Sequence, residues 1–474
     1  MLRQNLKIAF IHYHLKTGGV TTVLRQQVES ILDTCDLLVL SGDPPESPFL
    51  CDVVHIPGLG YEIPGRNPMD PERIATAIIE AIHLKWNNGC DLVHVHNPTL
   101  KKNANFLKIL NVLKKRGLKL FLQIHDFAED GRPLSYFAEE EYIENCHYGV
   151  INSRDYNILL KTGLKKEGLH KIFNTITPFH FNAEDAILKN YILYPIRAIR
   201  RKNIGEAILL SLFFKKNALL VITLPPNSPA DINSYENWKT FVMENKLNVI
   251  FEAGLTHKFS DLVLSSDFLI TTSITEGFGF SFLEPWTANK YLWGRKLPDI
   301  CQDFEQNSIR LNHLYTRLDV PMDWIDNDML FYTWKSGIQK VSALFGATID
   351  DIFIKTAYEK ATTNDVIDFG LLNEPFQKKI ISTVLSSKAN RNKLIHLNPF
   401  LSNPGSVSNK DELIQNNMDA VLFNYNQSKY REKLIGIYKK VTRDNVCQKI
   451  DKKILLSEFL RLNNFSLLKW CDNA

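Results

Sequence analysis

From Lys7 to about residue 290, short runs of β-branched and other apolar residues alternate with stretches whose apolar positions recur at helical spacing. Lys7 to His12 reads as a strand, and after Gly18-Gly19 the residues Val20, Val23, Leu24, Val28, Ile31 and Leu32 share one helical face. Asp36 to Leu40 and Asp52 to Ile56 read as further strands. Asp70-Pro71 supplies an N-cap and a first-turn proline to a helix over Ile74 to Trp86. Asp91 to His96 and Lys119 to His125 are buried-strand patterns separated by a helix over Asn103 to Lys115, and a strand pattern at His147 to Asn152 follows. Strands alternating with helices imply a parallel, doubly wound sheet.

The alternation restarts after a turn-rich passage at Thr177-Pro178 and Phe181-Asn182-Ala183-Glu184. Tyr191 to Ile196, Leu219 to Leu224, Asn248 to Phe251 and Phe268 to Thr272 read as strands, with a helix over Ile204 to Phe214. The expected organisation is one α/β domain over 1–185, a second over 186–425 with a helical insertion after about residue 300, and helices over 426–474 that cross back to the first. In the last region Ser428 is placed to cap a helix with the stripe Tyr430, Leu434, Ile437, Tyr438 and Val441. Ser408 with Asp411 resembles a capping box, and Asp326-Asn-Asp328 reads as an N-cap rather than a metal site. Parallel sheets bind ligands beyond the carboxyl ends of their strands, so two such domains facing each other would enclose a cleft.

Length and charge narrow the class. At about 150 residues per domain, 474 residues set a prior of about three domains, and two large α/β domains with a helical surplus account for it. Hydrophobic residues at 45% and charged residues at 23% exclude a disordered or fibrous chain. A net charge of +4 over this length gives no basis for a nucleic-acid partner. The seven cysteines show no C-x-x-C spacing and are expected to be reduced thiols of a cytoplasmic protein. The N-terminal apolar run is too short for a signal-peptide core, and Ala207 to Leu224 is interrupted by Lys215-Lys216-Asn217 and falls short of the roughly 20 apolar residues of a membrane span. Lys108, Lys114, Lys115, Arg116 and Lys119 lie beside an apolar face in Asn103 to Lys119. That pattern is first the solvated cover of a sheet, and second a surface for peripheral docking at the inner face of a membrane.

The chemistry concentrates in Phe268 to Trp286. A strand ends, Glu276 follows, Gly277-Phe278-Gly279-Phe280 opens a loop, and a helix carrying Glu284 about two turns in is expected. Backbone N–H groups at a helix N-terminus favour a phosphate, and carboxylates accept paired hydrogen bonds from the vicinal hydroxyls of a sugar or ribose. Elsewhere, Arg197 and Lys202 near a strand end are suited to a diphosphate, and His125, His94 and His96 also stand at strand ends. Two histidines supply too few ligands for a metal, so no metal site is expected.

Glu276-Gly-Phe-Gly-Phe-Ser-Phe-Leu-Glu284 resembles the E-x7-E motif of retaining glycosyltransferases of the GT-B fold, most closely family 4. Lys16-Thr-Gly18-Gly19-Val20 is similar to that family's glycine-rich loop, Ile124-His125-Asp126 to its His-Asp at a strand end, and Arg197 to Lys202 to its R-x4-K. The resemblance implies an α/β fold of two facing Rossmann-like domains with an elaborated helical C-terminal region. It implies transfer of a hexose from a nucleotide diphosphate sugar, UDP-linked ahead of GDP-linked, to a hydroxyl acceptor by front-face substitution without an obligatory metal or other cofactor. By the same resemblance Glu276, His125, Arg197 and Lys202 are catalytic. Gly18, Gly19, Gly277, Phe278, Gly279, Phe280 and Glu284 join Arg197 and Lys202 in holding the donor. Asp126 is expected to orient the loop or help bind the acceptor, and His96 with Asn97 to take a structural or an acceptor-side role. The chain departs from the family at Ile196, where a glycine is usual, and at Pro285-Trp286, where Ala-Met is commoner. A GT-B glycoside phosphorylase or sugar-nucleotide epimerase is the rival enzyme, and a noncatalytic nucleotide-sugar-binding scaffold is the rival of another class.

Overall fold

A computed structural model describes residues 5–62, 65, 67–179 and 190–470. It divides into two units, one of residues 1–175 with 425–460 and one of 176–424 with 461–474. The expected domain boundary at 185/186, with the turn at Phe181 to Glu184, lies outside the described residues. The C-terminal helices are shared out: Gln427–Arg443 and Lys452–Phe459 belong to the first unit and Leu467–Trp470 to the second.

Among the described residues the first unit has strands β1 (Leu6–His12), β2 (Cys35–Ser41), β3 (Asp52–His55), β4 (Leu92–His96), β5 (Leu120–Ile124), β6 (His147–Val150) and β7 (Leu169–Lys171). They pair in parallel in the order β3-β2-β1-β4-β5-β6-β7. Side chains of β1 alternate between two cores: Ala9 and Ile11 pack in one, Ile8 and Phe10 in the other. The first core takes the apolar faces of helices Pro71–Lys85 and Phe106–Lys115, including Ile74, Ile78, Phe106, Ile109, Leu110 and Leu113. The second takes Leu24, Val28 and Ile31 of helix Gly19–Ile31 with Tyr430, Leu434, Ile437, Tyr438 and Val441 of Gln427–Arg443. The amphipathic face of Phe106–Lys115 is therefore interior, with its lysines outside. Asp70 caps its helix by accepting from the Arg73 N–H at 3.2 Å, as its place before Pro71 predicts.

The second unit has strands β8 (Tyr191–Arg197), β9 (Leu219–Leu224), β10 (Val249–Ile250), β11 (Phe268–Thr271) and β12 (Leu292–Gly294) in the parallel order β10-β9-β8-β11-β12. A short antiparallel pair, β13 (Asp319–Pro321) and β14 (Val366–Asp368), sits among the helices that follow. Asp326 accepts from the Met329 N–H at 3.0 Å and caps helix Asn327–Leu344, as expected.

Four local expectations are corrected. The strand at His147 stops at Val150, because Asn152 caps helix Ser153–Lys161 by accepting from the Asp155 N–H at 2.7 Å. Asn426 rather than Ser428 caps Gln427–Arg443, accepting from the Lys429 N–H at 2.9 Å. The helix assigned to Ser408 starts at Lys410, after Asn409 takes a left-handed φ of 58°. The helix expected after Gly277 is a 3-10 turn, Phe280–Phe282, followed by one α-turn, Glu284–Thr287. Glu284 thus opens its helix instead of lying two turns inside it, and so short a helix adds little dipole. Among the described residues no helix is long and apolar enough to cross a membrane, and the six described cysteines are free thiols.

Candidate active site

In the second unit the site forms where β8 and β11 end side by side. The chain leaves β8 through a 3-10 turn, Arg200–Lys202, which is tied to the end of β11 at several points. The Thr272 hydroxyl donates to the Lys202 and Asn203 carbonyls, each at 3.0 Å, and the Ile274 N–H donates to the Arg201 carbonyl at 3.0 Å. The buried Tyr194 hydroxyl also donates to the Lys202 carbonyl, while Asn203 at φ 51° turns the chain into helix Ile204–Ser211. Held this way, the Lys202 ammonium donates to Glu276 Oε1, and the Arg201 guanidinium lies 3.4 Å from Oε2. Burial opposes ionisation of Glu276, but the Lys202 and Arg201 charges outweigh it and hold the carboxyl below its ordinary range.

Arg197 points elsewhere, donating to the Pro225 carbonyl at 3.0 Å, so Lys202 and not Arg197 is joined to Glu276. Glu284 is half-buried, and burial pushes its carboxyl up to about 7 against the opposing pull of Lys202. Gly279 adopts φ 94°, and a Cβ there would meet Phe282 at 3.0 Å, so the loop's shape requires this glycine. The Phe278 ring is buried against Phe280 and Phe304, leaving its backbone as the part that can serve a ligand.

Next to the Lys202 turn, through Asn203, is a buried ion cluster that sequence reasoning did not find. Arg295 donates to Glu206 at 2.7 and 2.8 Å and to Asp368 at 2.7 and 2.8 Å, and the Tyr315 hydroxyl donates to Glu206 at 2.7 Å. Glu206 also accepts from Asn203 at 2.8 Å, which links the cluster to the residue that follows Lys202. Arg201 was missed as well; its only signal was a cation beside Lys202.

In the first unit His12, His96 and His125 stand at or just past the carboxyl ends of β1, β4 and β5, all buried. His96 Nδ1 is 2.8 Å from His125 Nε2, and the rings stack with centroids 5.1 Å apart. His94, on the same face, is engaged inside the unit by Tyr438 and by Gln123, each at 2.9 Å. Burial lowers these imidazoles, His125 to about 4 and His12 and His94 to about 3. Asn97, at φ 51°, accepts from the His125 N–H at 2.7 Å and from the Asp126 N–H at 3.2 Å. It therefore shapes the His-Asp turn from behind. Asp126 is paired with Arg132 at 2.8 Å. At Gly18 and Gly19 a Cβ would meet nothing closer than 3.9 Å, so the fold itself does not demand glycine at either position. Among the described residues no three His, Cys, Asp or Glu side chains are placed to hold a metal ion.

A glycosyltransferase from Rickettsia africae has this architecture, with 13% identity, 93% of this chain and 99% of that chain covered and a TM-score of 0.53. HepE of Anabaena, solved in complex with UDP-glucose, covers 92% of this chain and all of that one at 11% identity and a TM-score of 0.51. The fold is GT-B. No family profile matches this GT-B chain. A relative along nearly its whole length is the mannosylglucosyl-3-phosphoglycerate synthase of Petrotoga mobilis, 27% identical over 514 aligned positions that cover 96% of this chain and 98% of that protein.

Proposed function

We propose that the chain is a retaining glycosyltransferase that moves a hexose from a nucleotide diphosphate sugar to a hydroxyl of an acidic glycoside built on phosphoglycerate. The observation that carries this reading is the Lys202–Glu276–Arg201 cluster at the end of β11, with Glu284 eight residues on, inside a GT-B unit. The acidic acceptor is drawn from the Petrotoga relative, whose product name contains a hexosyl-glucosyl-phosphoglycerate.

In this reading Glu284 accepts hydrogen bonds from the ribose hydroxyls and Glu276 from those of the donor sugar. Lys202, joined by the Arg197 nitrogens not used on the Pro225 carbonyl, takes the charge that grows on the departing diphosphate. The bond from the anomeric carbon to the diphosphate oxygen breaks, the acceptor oxygen bonds to the same face, and the leaving phosphate oxygen receives the acceptor proton. His125, neutral through burial, offers a ring N–H or lone pair to the donor sugar. Gly18 and Gly19 let the backbone come close to the donor. The resemblance to family 4 favours a UDP-sugar, with a GDP-sugar as the alternative that a donor screen separates.

The test incubates the purified chain with UDP- and GDP-hexoses and glucosyl-3-phosphoglycerate, followed by mass spectrometry and by NMR of the new linkage. A hexosylated product with the donor's anomeric configuration is expected. An inverted linkage overturns the retaining mechanism, and no transfer from any donor overturns the reading.

A further inference from the structure

The first sheet changes direction between β1 and β4: the chain steps outward from β1 to β3 and returns to β4 on the other side. Loops beyond the carboxyl ends of strands at such a reversal form a natural ligand crevice. Four loops, after β1, β3, β4 and β5, meet there and are locked by hydrogen bonds to main-chain carbonyls. The Tyr13 hydroxyl, just past β1, donates to the Leu100 carbonyl at 2.6 Å. The Lys101 N–H donates to Ser135 at 2.7 Å, and the Glu62 N–H donates to the Lys102 carbonyl at 2.9 Å. Asn103 donates to the Gly58 and Gly60 carbonyls at 2.7 and 3.0 Å.

This scaffold presents two cations. The Lys102 ammonium lies 5.7 Å from the centroid of the Tyr61 ring and, among the described residues, has no carboxylate within ion-pair distance. The Arg132 guanidinium uses one nitrogen on Asp126 and remains a third exposed. Burial depresses the Lys102 ammonium, and Arg132 depresses it further, with Asp126 opposing. Asp126 faces both cations and Asp130 also faces Arg132, but neither carboxylate lies within ion-pair distance of the half-buried Lys102 ammonium. Tyr61 is itself fixed, its hydroxyl 3.2 Å from His14 Nε2.

We infer that Lys102 and Arg132, walled by Tyr61, seat the anionic end of the acceptor, a phosphate ester with its neighbouring carboxylate. Lys102 supplies a point charge, and Arg132 offers its remaining N–H groups in a planar fork. The inference rests on the acidic-acceptor reading above and adds the residues that select for it.

The test measures binding of 3-phosphoglycerate and, separately, of UDP and GDP to the full-length wild type, Lys102→Gln and Lys102→Arg by calorimetry. Lys102→Gln should weaken 3-phosphoglycerate about tenfold or more, as expected for loss of a charge-assisted contact, and Lys102→Arg should hold it within about threefold. Nucleotide affinity should be unchanged in both, which also certifies the fold. Equal binding by wild type and Lys102→Gln, or no binding by wild type, overturns the seat. Bound 3-phosphoglycerate that depends on Lys102, together with no transfer to glucosyl-3-phosphoglycerate, would instead leave the seat standing and sink the functional reading.

Discussion

His96 Nδ1 stands 2.8 Å from His125 Nε2, so one ring donates and the other accepts, and the tautomers of the pair are tied together. Both rings are held neutral by burial. For His125 the folded value of about 4 lies below the ordinary 6.5, so the unfolded chain binds the proton first as pH falls. Stability from this group is complete above about pH 6.5 and is lost progressively toward pH 4, by roughly 3 kcal/mol at about 1.4 kcal/mol per pH unit. Urea melts between pH 7.5 and 4 should show a slope of at least this size, to which the buried His12, His94 and His96 add, and His125→Asn should reduce it by this group's share. A wild-type curve that is level across this range would contradict the pairing.

Glu276 compensates a lysine whose side chain is 15% exposed and an arginine that is 31% exposed. Truncation to Ala would strand that buried ammonium at about 3–5 kcal/mol, confusing loss of chemistry with loss of fold. Glu276→Gln keeps the shape and removes the charge. Its kcat should fall by about a hundredfold or more, the scale of one electrostatic contact to a developing charge, while circular dichroism stays that of wild type. Retention of kcat within a few-fold would remove Glu276 from the chemistry.

Much of the fold was legible because the central strands are continuous apolar runs and because Asp70 and Asp326 precede helices with few competing roles. β7 was not legible, since Leu169–Lys171 is three residues without a periodic pattern. The one-turn helix at Glu284 was misread because Gly279 and Pro285 break a pattern that the carboxylate spacing alone suggested. The pairing of Lys202 and Arg201 with Glu276 depends on Tyr194 and Thr272 gripping the turn from two strands. Spacing along a chain carries no trace of such a grip. The same holds for the Arg295 cluster, whose members Glu206, Arg295, Tyr315 and Asp368 come from four separate stretches of the chain.

Glu284, raised to about 7, changes charge in the physiological range. The ionised form can accept from both ribose hydroxyls, whereas the protonated form gives up one acceptor. Nucleotide affinity should therefore rise more steeply between pH 6 and 8 in the wild type than in Glu284→Gln, whose profile follows the nucleotide's own terminal-phosphate ionisation at about pH 6. Calorimetric titration of UDP and GDP at several pH values checks this. Identical pH profiles for the two proteins would place the ribose elsewhere.

Gly19 separates a structural from a ligand-facing glycine. It is the first residue of helix Gly19–Ile31, and a Cβ there meets nothing within 4 Å. Gly19→Ala should leave the melting temperature unchanged or raise stability by about 0.5 kcal/mol through lower chain entropy in the unfolded state. The added methyl should nevertheless raise the donor KM several-fold if the backbone lies against the donor. A stable variant with an unchanged donor KM would show that the loop is a turn and nothing more.

Arg295 neutralises two carboxylates that its removal would leave buried, Glu206 fully and Asp368 nearly so. Arg295→Met fills similar space but strands two acids, so a loss of about 3–5 kcal/mol is expected, read as a lower urea midpoint at constant slope. The triple change Arg295→Met, Glu206→Gln, Asp368→Asn removes the stranded charge along with its partner and should recover most of that loss, because a buried cluster replaced as a whole costs far less than one broken apart. The cluster also holds Asn203, the residue after Lys202. Loosening it should raise the donor KM in the single variant even at temperatures where that variant is fully folded. If the single variant matches wild type in both midpoint and KM, the cluster supports neither the fold nor the Lys202 turn.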